Sequence, residues 1–244
     1  MRNSRCLLIL FACTALALPL AAKDKEKIEL HTFQYAGQAR TWYGFIPAAD
    51  PSAPLPVVVL LHGSNQNGSE MTGPWRDFAA REHIVLVAPN SLKPAVWDYD
   101  NDPPAFLHAA VAEAAALHPV DPHRIYLFGQ SGGAVYALAL AILDGGYFAA
   151  VGAHAATLPP VANDFFPHAP RPTPVALWVG DSDPGVSVAG VENTRDIFKA
   201  HGFPVQLIVI PNHGHVYDEE SAWAINRAAW SFFSAHPLPA DSAH

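Results

Sequence analysis

Apolar and polar positions alternate through residues 28–35 and 41–46 on either side of Ala36-Gly37, which predicts two antiparallel strands joined by a tight turn at the edge of a sheet. A proline-rich connector over residues 47–56 follows. The pattern then changes, because residues 57–61 read Val-Val-Val-Leu-Leu without a polar position, as expected of a strand covered on both faces in a mostly parallel sheet. Comparable runs recur at 84–88, 124–128, 148–153, 175–179 and 205–210, and each predicts a buried strand. Between them, residues 70–82, 103–117, 134–143, 192–200 and 223–233 favour helix. The third of these is closed by Gly145-Gly146, where a glycine can adopt the left-handed conformation that ends a helix. The apolar residues of 223–233 fall on one helical face, expected to pack on the core.

Strands alternating with helices after an antiparallel edge pair predict a three-layer α/β fold with right-handed crossovers, in which sites form at the carboxyl ends of the strands. Proline-rich residues 157–174 are the one candidate for a small cap.

The first residues set a different expectation. Arg2 and Arg5 precede an uncharged apolar run over residues 6–20, then Ala21-Ala22 and the charged Lys23-Asp24-Lys25-Glu26-Lys27, the pattern of a cleavable export signal. The apolar run is shorter than the roughly 20 residues that cross a bilayer as a helix. Residues 1–22 are therefore expected to be a signal peptide and 23–244 a single domain, exported to the periplasm or the medium. Both cysteines lie in that leader, so a chain cut near Ala22 has no disulfide to stabilise it. Cys13 is a poor lipid-attachment site, since Phe11 is bulky and the following residues stay apolar. Loss of the two arginines moves the net charge from −8 to −10, which disfavours nucleic acid or an anionic membrane as partner.

Candidate chemistry gathers at the predicted strand ends. Gly129-Gln130-Ser131-Gly132-Gly133 lies where a strand must turn into a helix, and this context gives G-x-S-x-G its mechanism: a strained turn exposes the Ser131 hydroxyl, and small neighbours let strand and helix approach. The Gly132 N–H at the helix start is one expected oxyanion donor. His62-Gly63-Ser64 ends the first buried strand and is expected to supply the second from the Ser64 N–H, with Asn65 as the near alternative. A serine nucleophile needs a base, and the base needs a carboxylate. Gly180-Asp181-Ser182-Asp183 and Asn212-His213-Gly214-His215 each follow a predicted strand and each offer two candidates. Two close histidines without a third ligand make a poor zinc site, so neither metal nor cofactor is expected.

Leu61-His62-Gly63, Trp97-Asp98-Tyr99, Val120-Asp121-Pro122-His123-Arg124, Gly129-Gln130-Ser131-Gly132-Gly133, Gly180-x-x-Asp183-Pro184 and Gly214-His215 together resemble the α/β-hydrolase esterases that include polyhydroxybutyrate depolymerases, feruloyl esterases and acetylxylan esterases. The resemblance implies Asp183 as acid, three residues after its glycine, and His215 as base within the Gly-His pair. It implies a small or oligomeric ester as substrate. His62 is expected chiefly to orient the oxyanion loop, and His62, Gln130, Trp97 and Tyr99 are candidate substrate contacts. Gln130 departs from the aromatic or hydrophobic residue that often precedes the serine, and the lack of cysteines after the leader departs from the disulfide-bonded depolymerases. A peptidase on the same scaffold and a non-catalytic binding protein are the rival readings.

Overall fold

The computed structural model describes residues 27–240, so the expected export signal and Cys13 lie outside the described residues. Eight strands form one sheet in the order β1-β2-β4-β3-β5-β6-β7-β8. The strands are β1 (Glu29–Tyr35), β2 (Gln38–Phe45), β3 (Leu55–Leu61), β4 (Val85–Pro89), β5 (Val120–Gln130), β6 (Val151–His154), β7 (Val175–Gly180) and β8 (Val205–Ile210). The helices are α1 (Gly68–Glu82), α2 (Pro104–Leu117), α3 (Gly132–Leu143), α4 (Val188–Ala200) and α5 (Glu219–Ser234). β1 pairs antiparallel with β2 and β2 antiparallel with β4; all other pairings are parallel.

The three layers follow from the alternation of side chains across a pleated strand. Along β3, Val57, Val59 and Leu61 face a core shared with α2, α3 and α4, whereas Val58 and Leu60 face a second core under α1 and α5. All seven β3 residues are buried, because both faces of the strand carry a helical layer. Ile225, Ala229 and Phe233 of α5 join the second core, so its apolar face packs on the sheet.

Several boundaries differ from expectation. β5 starts at Val120 rather than at 124, since Leu55 pairs with Val120 before an irregularity shifts the register. β6 is confined to Val151–His154, with Phe148 leading into it from a turn. β8 has four half-buried and two exposed positions and no fully buried one, although its sequence reads as a buried strand, because it is an edge of the sheet. Residues 157–174 contain only a short 3-10 helix, Pro160–His168, packed against α3, so the cap is minimal.

The element that ties the loop before α2 to the sheet is a buried ion pair. Arg40 of β2 donates to Asp102 at 2.5 Å and to the Asn90 and Asn101 carbonyls, and its guanidinium lies over the Phe106 ring. Asp102 also accepts from the Leu92 N–H at 2.8 Å. These bonds hold residues 90–102 over the carboxyl ends of the strands.

Candidate active site

Ser131 occupies the single residue between β5 and α3, at φ 51° and ψ −117°. This is a sparsely populated conformation for any residue with a side chain, and it persists only when its surroundings fix it. Here those surroundings are backbone: the Ser131 N–H donates to the His154 carbonyl at 2.9 Å, and a Cβ at Gly129 or Gly133 would collide with the Gly133 or Leu61 carbonyl. Tight approach of strand, turn and helix thus requires glycine at both flanks.

The exposed consequence of that turn is a three-member chain. Ser131 Oγ lies 2.8 Å from His215 Nε2, and His215 Nδ1 lies 2.8 Å from Asp183 Oδ2. An Nδ1–H donating to the carboxylate leaves the Nε2 lone pair to receive the Ser131 proton. Burial alone would push the Asp183 carboxyl up, but the Gly185 N–H, the His215 ring and the Val186 N–H outweigh it and hold the group below the usual carboxylate range. Asp183 therefore stays ionised opposite the imidazole. Asp181 instead accepts from the Ser182 hydroxyl at the surface, and His213 turns to His154 at 3.3 Å. Of the two acids and two histidines that the chain offers, the structure brings Asp183 and His215 to Ser131.

Neither the Ser64 N–H nor the Gly132 N–H has an acceptor among the described residues, while the Asn65 N–H is taken by the Pro94 carbonyl at 2.7 Å. A Cβ at position 132 would lie 3.3 Å from the Ser64 nitrogen, which places the two donors side by side. Two free N–H groups beside a serine oxygen at a helix start can stabilise a developing oxyanion.

His62 and Gln130, expected near the substrate, are only 1% and 4% exposed. Both ring nitrogens of His62 are engaged: Nδ1 donates to the Gly63 carbonyl at 2.8 Å and Nε2 accepts from the Ser91 N–H at 3.1 Å. Burial lowers its basicity and keeps the ring neutral. His62 thus holds the loop that carries Ser64, and Gln130 packs its Oε1 against Gly63 beneath the elbow. Both are buried, His62 just after β3 and Gln130 at the end of β5.

Trp97 and Tyr99, by contrast, line an open cavity of about 300 Å3 that reaches Ser64 and Gly132. Trp97 donates its Nε1–H to the His62 carbonyl at 2.9 Å and stacks on Tyr136 of α3. Tyr136 in turn donates to the Asp102 carbonyl at 2.5 Å. Val96, Val135, Ala139 and Pro159 make the rest of the lining mostly apolar, and Asp98 is its one charged residue. Tyr136, the Arg40–Asp102 pair and His154 were not expected from the sequence. A lone hydroxyl-bearing residue inside the otherwise apolar α3, five positions after the serine, was the available signal for Tyr136. Another cavity, about 190 Å3, opens between β1 and the end of α2 at His31, Gly44 and Leu117, away from this array. Among the described residues no group of three or more His, Cys, Asp or Glu is disposed to hold a metal ion, and no helix is long and apolar enough to cross a membrane.

Known proteins share the fold and the family of this chain. A Nocardia uniformis subsp. tsuyamanensis protein described as "Putative esterase NocK" is 32% identical over 152 residues, which are 56% of this chain and 44% of that protein. The chain thus spans less than half the length of this curated relative. The crystal structure of esterase PE8 superposes with a TM-score of 0.61 at 22% identity, covering 77% of this chain and 96% of that one. Thermogutta terrifontis esterase 2, phosphonylated by cyclosarin, superposes with a TM-score of 0.68 at 17% identity, covering 85% and 94%. At those identities the two structures show the shared α/β-hydrolase fold. Residues 92–234, which contain Ser131, Asp183 and His215, match a family model described as "Dienelactone hydrolase family", and the chain belongs to that family.

Proposed function

We propose that this chain is an exported serine-dependent carboxylic-ester hydrolase in which Ser131, His215 and Asp183 act as a catalytic triad and the Ser64 and Gly132 N–H groups as the oxyanion hole. The observation that carries this reading is the continuous chain from Ser131 Oγ through His215 to Asp183, 2.8 Å at each step, beside two unpartnered N–H groups.

In this mechanism His215 Nε2 takes the Ser131 proton as Oγ attacks the ester carbonyl. Negative charge builds on the carbonyl oxygen between the two N–H donors, and Asp183 stabilises the imidazolium. His215 then protonates the departing alkoxide, which leaves an acyl-enzyme. Water, deprotonated by His215, attacks the acyl carbon, and collapse of the second tetrahedral intermediate frees the acid and restores Ser131.

The cavity lined by Trp97, Tyr99 and Tyr136 adjoins both oxyanion donors but not His215. Since the leaving oxygen must meet the His215 proton, the reading assigns this cavity to the acyl group and the His215 side to the alcohol. Its mostly apolar lining and size suit one aromatic ring, an acetyl group or a short hydroxyalkanoate, from a small or oligomeric ester. Export is supported by the leader pattern of residues 1–22, and N-terminal sequencing of the secreted chain checks it.

The decisive experiment assays the purified chain on short nitrophenyl esters, methyl ferulate, an acetylated xylan oligomer and a hydroxybutyrate oligomer, with Ser131→Ala as control. Covalent labelling by an active-serine phosphonate is read in parallel, a chemistry named for the Thermogutta terrifontis neighbour. Ester turnover and labelling, both lost in Ser131→Ala, are the expected result. With a peptide nitroanilide assayed beside the esters, its cleavage alone would replace the reading with a peptidase, and neither turnover nor labelling would replace it with a binding protein.

A further inference from the structure

His154 ends β6, the strand between β5 and β7, so it sits between Gln130 just before the elbow and Trp178. Its carbonyl accepts the Ser131 N–H at 2.9 Å. Its side chain, 0% exposed, meets His213 across 3.3 Å between the two Nε2 atoms. The His213 carbonyl accepts the Ser182 N–H at 3.0 Å, beside Asp183, and the Gly180 backbone packs against the same carbonyl. One residue therefore touches the loop of the serine directly and, through His213, the loops of the base and the acid.

Resting on the serine-esterase reading above, we propose that His154 is a positioning residue whose imidazole, bonded to His213, sets the separation of the Ser131 elbow from the His215 loop. The tautomer follows from its second nitrogen. His154 Nδ1 is buried without a partner among the described residues. An orphaned N–H is the rarer and costlier outcome in a folded interior, so the proton resides on Nε2, which donates to the His213 Nε2 lone pair. Burial is the main reason the ring stays uncharged, reinforced by His213 and His215 nearby and opposed by Asp183. Tyr217 covers another side of the ring, 5.5 Å between centroids. The bond thus joins a neutral donor and a neutral acceptor, fully buried at His154 and half-buried at His213, and it constrains the separation of their two loops.

The geometry assigns distinct outcomes to substitutions of similar size. Glutamine places an N–H2 where Nε2 lies, asparagine places its own where the unused Nδ1 lies, and phenylalanine retains only the ring. His154→Phe and His154→Asn are expected to lose about 10-fold to 100-fold in kcat with KM within about twofold, as for displaced catalytic groups. His154→Gln is expected to keep kcat within about threefold of the unaltered protein. His213→Phe should match His154→Phe, and the double variant should be no slower than either single one, because both remove the same bond. Near-UV circular dichroism and a cooperative melt establish that each protein compared is folded; His213 is only half-buried, so its variant tests the bond even where a change at His154 prevents folding. Equal losses for the glutamine and phenylalanine variants, full kcat in folded His154→Phe or His213→Phe, or additive losses in the double variant would overturn the proposal while leaving the esterase reading intact. Absence of turnover and of phosphonate labelling in the unaltered protein would overturn both.

Discussion

Gly132→Ala separates oxyanion stabilisation from folding. Gly132 is the first residue of α3 and its φ lies outside the positive region, so alanine adopts the same backbone without strain. The added methyl would lie 2.5 Å from Ser64 Oγ and 3.3 Å from Ser64 N. The hydroxyl can rotate away from the first contact. The second is with backbone held between the Gly63 N–H, bonded to Gln66, and the Asn65 N–H, bonded to Pro94, so it has little room to give. An oxyanion must approach within about 2.7–3.1 Å of the same nitrogen, and the methyl occupies that approach. Loss of one donor costs about 2.7–4 kcal/mol in the transition state, or roughly 100-fold to 1,000-fold in rate. Replacing glycine in the helix restricts the unfolded chain and favours folding by about 0.4–1 kcal/mol, which offsets the crowding. The expected result is kcat/KM reduced by that factor on a nitrophenyl ester, with a denaturant midpoint close to that of the unaltered protein. A folded Gly132→Ala protein that keeps more than about one-tenth of kcat/KM would refute the assignment of Ser64 and Gly132 as donors.

Two stability predictions follow from buried charge. Arg40→Met removes the guanidinium that opposes the effect of burial on Asp102, whose carboxyl is already pushed up, and should cost about 3–5 kcal/mol in urea unfolding, whereas Arg40→Met with Asp102→Asn should recover much of that loss; a single-variant cost below about 1 kcal/mol would refute a structural role for the pair. His154 is held neutral down to about 3, chiefly by burial, whereas its ordinary value is 6.5. Between those values the unfolded chain binds the extra proton, so stability should fall as pH drops through this interval, by up to about 5 kcal/mol from this group. His154→Gln should flatten that part of the stability profile, and an unchanged slope in urea melts taken from neutral to acid pH would refute it.

Much of this architecture was legible because it rests on local patterns. The run from Val57 to Leu61 has no polar position, and a strand of that kind has two covered faces wherever it sits in a sheet. The elbow was equally legible, since a glycine-flanked serine between an apolar strand and an apolar helix has few other ways to turn. β8 shows the limit of such reading. Leu207–Ile210 is an unbroken aliphatic run like that of a central strand, yet β8 forms one edge of the sheet, because strand order is decided by crossovers rather than by composition.

By itself the sequence determined the layered α/β class, the turn that exposes Ser131, and the strand-end loops that carry the candidate acids and bases. Tertiary structure decided which side chains of those loops converge: Asp183 and His215 toward Ser131, Asp181 to the surface, His213 toward His154, and His62 and Gln130 into the interior. It also formed the Arg40–Asp102 and His154–His213 contacts, 62 and 59 residues apart along the chain. The physical reason is range. Periodicity and turn chemistry act over a few residues and are written in neighbouring side chains, whereas the direction of a loop side chain depends on the backbone packed against it from distant parts of the chain.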